Sequence, residues 1–144
     1  MRERFIRVRG ARYRLEVRDD EDVAVVVLAF TADGALAGKA RAVRLRSEPA
    51  AADVRLTVDG GAHRGLDAKL LDTLRAEARA AGIDRLTGRV VLDDTSVQRL
   101  LVARGAACWL ADADVMAFEL PASRRARTVP PVVAQRRQFG RLAS

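Results

Sequence analysis

Apolar and polar positions alternate at the start of the chain, and the period then changes more than once. In "RFIRVRGARYRLEVRDD" Ile6 and Val8 stand against Phe5, Arg7 and Arg9, and Tyr13, Leu15 and Val17 stand against arginines and Glu16. A period of two broken at Gly10 predicts a hairpin of two short strands, with Tyr13 as a packing residue. "DVAVVVLAF" is apolar after its first residue and rich in β-branched side chains, which predicts a central strand covered on both faces. "TADGAL" carries a turn signal at Asp33-Gly34, and "AGKARAVRLR" follows as an imperfectly alternating strand. "SEPAAA" reads as a loop and "DVRLTV" as a short strand. From Leu66 the spacing becomes helical: Leu66, Leu70, Leu74, Ala78 and Ala81 share one face, and Gly82 supplies a left-handed stop. "DRLTGRVVL" returns to a strand. "DDTSVQRLLVARG" opens with Asp, Thr and Ser capping candidates and closes at Gly105, a second helix. "ACWLADADVMAFELP" supplies one or two closing strands, in which Trp109, Met116, Phe118 and Cys108 are core residues. Strands, helix, strand, helix, strands is the order of an α/β domain with mixed sheet pairing.

A chain of 144 residues suits one domain with a real core, here residues 1 to 120, followed by a basic tail over 121 to 144. No apolar run approaches the roughly 20 residues that span a bilayer, and "MRERFIRVRG" has no apolar core for a secretory signal, so a cytoplasmic protein is expected. Cys108 is the only cysteine and His63 the only histidine, which argues against an internal disulfide, a histidine metal cluster and a cysteine–histidine hydrolase. No metal is expected. Net charge is +7, but it is unevenly placed: residues 1 to 18 hold seven arginines and two glutamates, and residues 121 to 144 hold six arginines and no acid. Basic ends of this kind can contact nucleic acid. Arginine supplies 24 of the 26 cationic residues throughout, however, and "SRRAR" lacks interleaved aromatics.

Two motifs bring a family into view. "AHRGLDAKLL" resembles the strand–turn–helix motif R/Q-x-x-G-x-G/A of the GNAT superfamily, the general control non-repressible N-acetyltransferases, through Arg64, Gly65 and Leu66. "DTSVQRLLVARGA" resembles that family's second helix, N-x-x-A-x-x-L-Y closing before G-F, from Asp94 through Leu100 to Gly105. The resemblance covers roughly residues 23 to 120. It implies a GNAT-like α/β (α+β) fold, a mixed but mostly antiparallel sheet with helices packed on it. The two helices that usually follow the family's first strand have no room in "RDDED", between Val17 and Val23. A sheet face left bare in this way implies a homodimer or tail packing.

The resemblance also implies an acetyl-CoA-dependent N-acetyltransferase acting on an amine. Ala62, His63, Arg64, Gly65, Leu66, Asp67 and Ala68 would cradle the cofactor's pyrophosphate, the strand from Leu56 to Val58 would pair with its pantetheine, and Asp94 opens the second helix of the same site. The first turn of a helix presents N–H groups without internal partners and the positive end of its dipole, which suits a phosphate. Asp53 falls near the position of the family's carboxylate base. Departures from the pattern include Asp94, where the family has asparagine. Asp67 stands where the family has glycine or alanine, Leu101 where it has a tyrosine acid, and Ala106 where it has phenylalanine. Two other readings therefore stand beside the enzyme: a GNAT-fold binding or regulatory module without catalysis, and a basic-tailed nucleic-acid binder.

Overall fold

The opening alternation folds as the expected hairpin, in a computed structural model that describes residues 1–19, 24–59 and 61–122. Strands β1 (Arg2–Val8) and β2 (Ala11–Asp19) pair antiparallel, with Arg9 and Gly10 at φ 51° and 84° between them. Two successive left-handed residues form the tight turn that matches the twist of the flanking strands. β3 (Val25–Thr31), β4 (Leu36–Arg44) and β5 (Ala51–Val58) extend the ladder antiparallel. Helix α1 (Leu66–Ala80) then carries the chain back, so that β6 (Arg85–Val91) lies parallel to β5. After α2 (Thr95–Ala103), β7 (Ala107–Asp112) and β8 (Val115–Pro121) complete one sheet in the order β1-β2-β3-β4-β5-β6-β8-β7.

Leucine spacing decides where α1 lies. Leu66, Leu70, Leu71 and Leu74 are at most 1% exposed and pack over β3, β4 and β5. Each such burial is worth about 1.5–3 kcal/mol. β4 is small on that side, with Gly38, Ala40 and Ala42, and the helix comes close: a Cβ on Gly38 would stand 2.7 Å from Leu70 Cδ1. Gly82 ends α1 at φ 87°, where the Ile83 N–H donates to Ala78 O at 2.9 Å. Gly105 ends α2 in the same way, with the Ala106 N–H donating to Leu101 O at 2.9 Å. Both are left-handed stops that satisfy otherwise open carbonyls.

The expectation that β3 is covered on both faces needs correction. Val25, Val27 and Ala29 are fully buried beneath α1, but Val26, Leu28 and Phe30, on the other face, are only half-buried. The cause is topological. β5 to β6 and β6 to β7 are parallel crossovers advancing in the same direction, so right-handed connections place α1 and α2 on one side of the sheet. Trp109 is likewise half-buried rather than a core residue, because it faces away from the helices. Cys108 is buried, and burial pushes its thiol pKa up. Among the described residues, no helix is long and apolar enough to cross a membrane. Most of "RDDED", Gly60 and the basic tail from residue 123 onward lie outside the described residues.

Candidate functional site

At its centre the sheet comes apart. β5 and β6 pair only through Ala51–Asp53 and Arg85–Thr87, and beyond that point they diverge. Gly88 stands just past that point. A Cβ there would stand 2.7 Å from two ring carbons of Phe118 and 3.0 Å from Val54 O, so the Phe118 ring lies just past the last paired rung. Divergence opens a cleft of about 780 Å³ whose lining includes Asp53, Arg55, Leu56, Asp94, Leu101 and Phe118. Among the described residues, the edge of β5 from Val54 to Val58 that faces this cleft has no strand partner, and its backbone donors and acceptors are open to a ligand.

The free edge leads into the first turn of α1. Asp59 organises the approach: its Oδ1 accepts from the N–H groups of Gly61 and Ala62 at 3.1 and 3.3 Å, and its carbonyl accepts from the His63 N–H at 2.8 Å. Gly65, at φ 84°, is the N-cap of α1 and offers no side-chain cap. A Cβ at Gly65 would lie 3.1 Å from Val8 Cγ1, so a side chain there would be strained by the left-handed backbone and would press on Val8. The N–H groups of Gly65 and Asp67 donate to no acceptor among the described residues. Leu66 and Val58 meet above Gly38, and the Leu66 side chain belongs to the core.

The charged groups at this turn are partly engaged. Asp67 accepts from the Ala68 N–H at 2.8 Å through Oδ1 and from Ser96 Oγ at 3.4 Å through Oδ2, which links the two helices. Arg104 pairs with Asp72 at 2.8 and 3.1 Å, and that hydrogen bond, with a smaller contribution from the Asp67 charge, raises the guanidinium pKa. His63 is half-buried, and its Nδ1 lies 2.9 Å from the Tyr13 hydroxyl, with the rings edge-on. Tyr13 is therefore a packing residue that also holds the turn. Arg64 is exposed, as is Ala62. Asp53 lies at the lip of the cleft on the side away from the helices, with Arg55 Nε 3.6 Å from its Oδ2. The N-cap carboxylate Asp94 accepts from the Val97 N–H at 3.3 Å.

The structure thus brings Asp53, Leu56 and Asp94 into the cleft and sets Val58 and residues 62–68 at the end of its free strand edge. Sequence reasoning did not find the wedge of Phe118 and Gly88 or the apolar wall of Leu71, Val90 and Val97. An isolated glycine inside a strand was the available signal for the wedge. Among the described residues, no three His, Cys, Asp or Glu side chains cluster as metal ligands.

No protein-family model matches the sequence, and no curated protein matches it either. Solved structures do. A cAMP-binding acyltransferase from Mycobacterium smegmatis superposes with a TM-score of 0.72 at 20% identity, over 92% of this chain and 51% of that one. This chain therefore spans about half the length of that protein. The GNAT domain of S. lividans PAT superposes with a TM-score of 0.69 at 18% identity, over 83% of this chain and 96% of that one. yncA from Salmonella typhimurium, solved with its cofactor acetyl-CoA, gives 0.58 at 19% identity, over 69% of this chain and 65% of that one. The chain has the GNAT fold.

Proposed function

We propose that this chain is an acetyl-CoA-dependent N-acetyltransferase domain, with the cofactor lying along the β5 edge and its pyrophosphate at the first turn of α1. One observation carries the reading: an unpaired strand edge runs directly into a helix N-terminus capped by a left-handed glycine and no side chain. A strand edge pairs with an amide-bearing pantetheine as it would with another strand, and an open helix N-terminus receives an anion. In this arrangement Leu56 and Val58 supply backbone groups to the pantetheine. Gly65 and Asp67 supply N–H donors to the phosphates, and His63 and Arg64 supply positive or hydrogen-bonding side chains beside them.

Acetyl-CoA brings an activated thioester. A neutral amine attacks its carbonyl carbon, the C–S bond breaks as the tetrahedral adduct collapses, and the acetyl group ends on nitrogen with free coenzyme A released. In this reading Asp53, which lines the lip of the cleft, takes the proton that the amine sheds. Leu101 is 2% exposed and has no proton to donate to the departing thiolate.

Asp67 favours a second reading, a binding or regulatory module that has given up catalysis. Its carboxylate stands in the first turn of α1, where it opposes a phosphate. Calorimetric titration of acetyl-CoA into the wild type and into Asp67→Gly separates the readings. Binding by the wild type, followed by acetyl transfer to a panel of amines, supports the enzyme. Binding by wild type without turnover supports the module. Binding gained only on Asp67→Gly marks a closed cofactor site.

A further inference from the structure

The sheet face away from the helices is chemically distinctive where it borders the cleft. On β4 and β5, Arg41 and Arg55 are directly opposed partners, with Lys39 two residues along from Arg41. Extending the β5–β6 register past Asp53 and Thr87 sets Arg89 across the cleft from Arg55. Lys39, Arg55 and Arg89 are exposed, and Arg41 is half-buried. Like charges on directly opposed cross-strand positions are unfavourable. Among the described residues, the only carboxylate within 4 Å of these four cations is Asp53, at 3.6 Å from Arg55. Beside them on β3 run Val26 and Leu28, the partners of Arg41 and Lys39, and Phe30, all half-buried. An apolar strip thus lies against a cationic strip, and the cationic strip straddles the mouth of the cleft.

We infer that this face recruits an acidic polypeptide segment with spaced apolar residues, and that the segment carries the acceptor amine to the cleft. The inference rests on the acyltransferase reading for its second half only. α1 and its N-terminus lie on the opposite side of the sheet, so a cofactor held there enters from the helix side and leaves this mouth for the acceptor. Carboxylates on the segment meet Lys39, Arg41, Arg55 and Arg89, while its apolar residues cover Val26 and Leu28, beside Phe30, whose ring already lies under the Arg14 guanidinium at 4.5 Å. Cationic walls around a cleft concentrate an anionic partner and speed its arrival. A second copy of this chain would set cation against cation. A nucleic acid would leave the apolar strip uncovered, and it offers no aliphatic amine, whereas a lysine or an N-terminus does.

The test uses the full chain and three fluorescent probes. One peptide alternates glutamate and leucine around a central lysine, a second replaces each glutamate by lysine, and the third probe is a single-stranded oligonucleotide. Anisotropy at low and moderate salt is expected to show binding of the acidic peptide, weakening as salt rises. The pair Arg55→Glu/Arg89→Glu should reduce that affinity about tenfold or more. Arg79→Glu, at an exposed position of α1 on the other side of the sheet, should leave it unchanged. Melting curves confirm that each variant is folded, and Lys39→Gln/Arg55→Gln serves if the reversal unfolds the sheet. Equal binding of the two peptides, tighter binding of the oligonucleotide, or an acidic-peptide affinity indifferent to both sets of substitutions would overturn the inference. Acetyl-CoA calorimetry on the same preparations keeps the two proposals apart. Cofactor binding without preference for the acidic peptide removes the recruiting face alone. Peptide preference without cofactor binding removes the acyltransferase reading and leaves the docking surface.

Discussion

The two helices begin in opposite ways. α2 opens on Asp94, whose carboxylate turns back onto the Val97 N–H. α1 opens on Gly65, left-handed and without a capping side chain, although α1 is the longer helix and the one that builds the core. A helix held down by four buried leucines can leave the Gly65 and Asp67 N–H groups of its first turn without a protein partner among the described residues, because capping is worth only about 1 kcal/mol against several for burial. The short helix, with only Leu101 buried, has no such reserve. An open N-terminus is thus found where packing can support it, beside the free edge of β5.

The contrast can be broken from either side. The largest effect is expected at Gly65. Gly65→Ala forces a Cβ into a left-handed residue and against Val8, so urea denaturation should show a loss of about 1–2 kcal/mol, together with weakened acetyl-CoA binding. Asp94→Ala removes the cap of α2 and should cost about 1 kcal/mol in the same experiment. Tyr13→Phe removes the hydroxyl that meets His63 Nδ1 at 2.9 Å, and should lower stability by about 0.5–1.5 kcal/mol. If the turn before α1 is held in part by that bond, the amide resonances of residues 61–65 should shift as well. The smallest effect is expected from Asp67→Asn, which keeps oxygen and shape while removing charge. Acetyl-CoA affinity should rise about two- to fivefold, as expected for 0.3–1 kcal/mol of repulsion removed at a helix N-terminus. An unchanged affinity would mean that Ser96, Ala68 and solvent already absorb the Asp67 charge.

Local pattern made much of the architecture legible. The leucine face of α1, the stops at Gly82 and Gly105, the Asp94 cap and the opening hairpin are properties of neighbouring residues, and each stands where its spacing placed it. What escaped was set by contacts between distant parts of the chain. The cleft begins where Phe118 on β8 lies against Gly88 on β6, and the turn before α1 is held by Tyr13, 50 residues from His63. The half-bare side of β3 escaped for a similar reason. "VVVLAF" is apolar on both faces, and only the shared handedness of two crossovers decides that both helices cover the same one.

The three-residue join between β5 and β6 divides the sheet into blocks of unequal cooperativity. Seven successive register pairs bind β4 to β5 and another seven bind β6 to β8, whereas only three cross the middle. Beyond the strands themselves, Arg75 of α1 reaches Pro121 O at 2.8 Å, Arg104 pairs with Asp72 of α1 at 2.8 Å, and Ser96 of α2 reaches Asp67 at 3.4 Å. Amide deuterium exchange should therefore resolve two foldons, β1–β5 with α1 and β6–β8 with α2, opening with different free energies. A ligand hydrogen-bonded along Val54 to Val58 would add rungs at the seam. Occupancy would then be read as a merging of the two exchange rates into one.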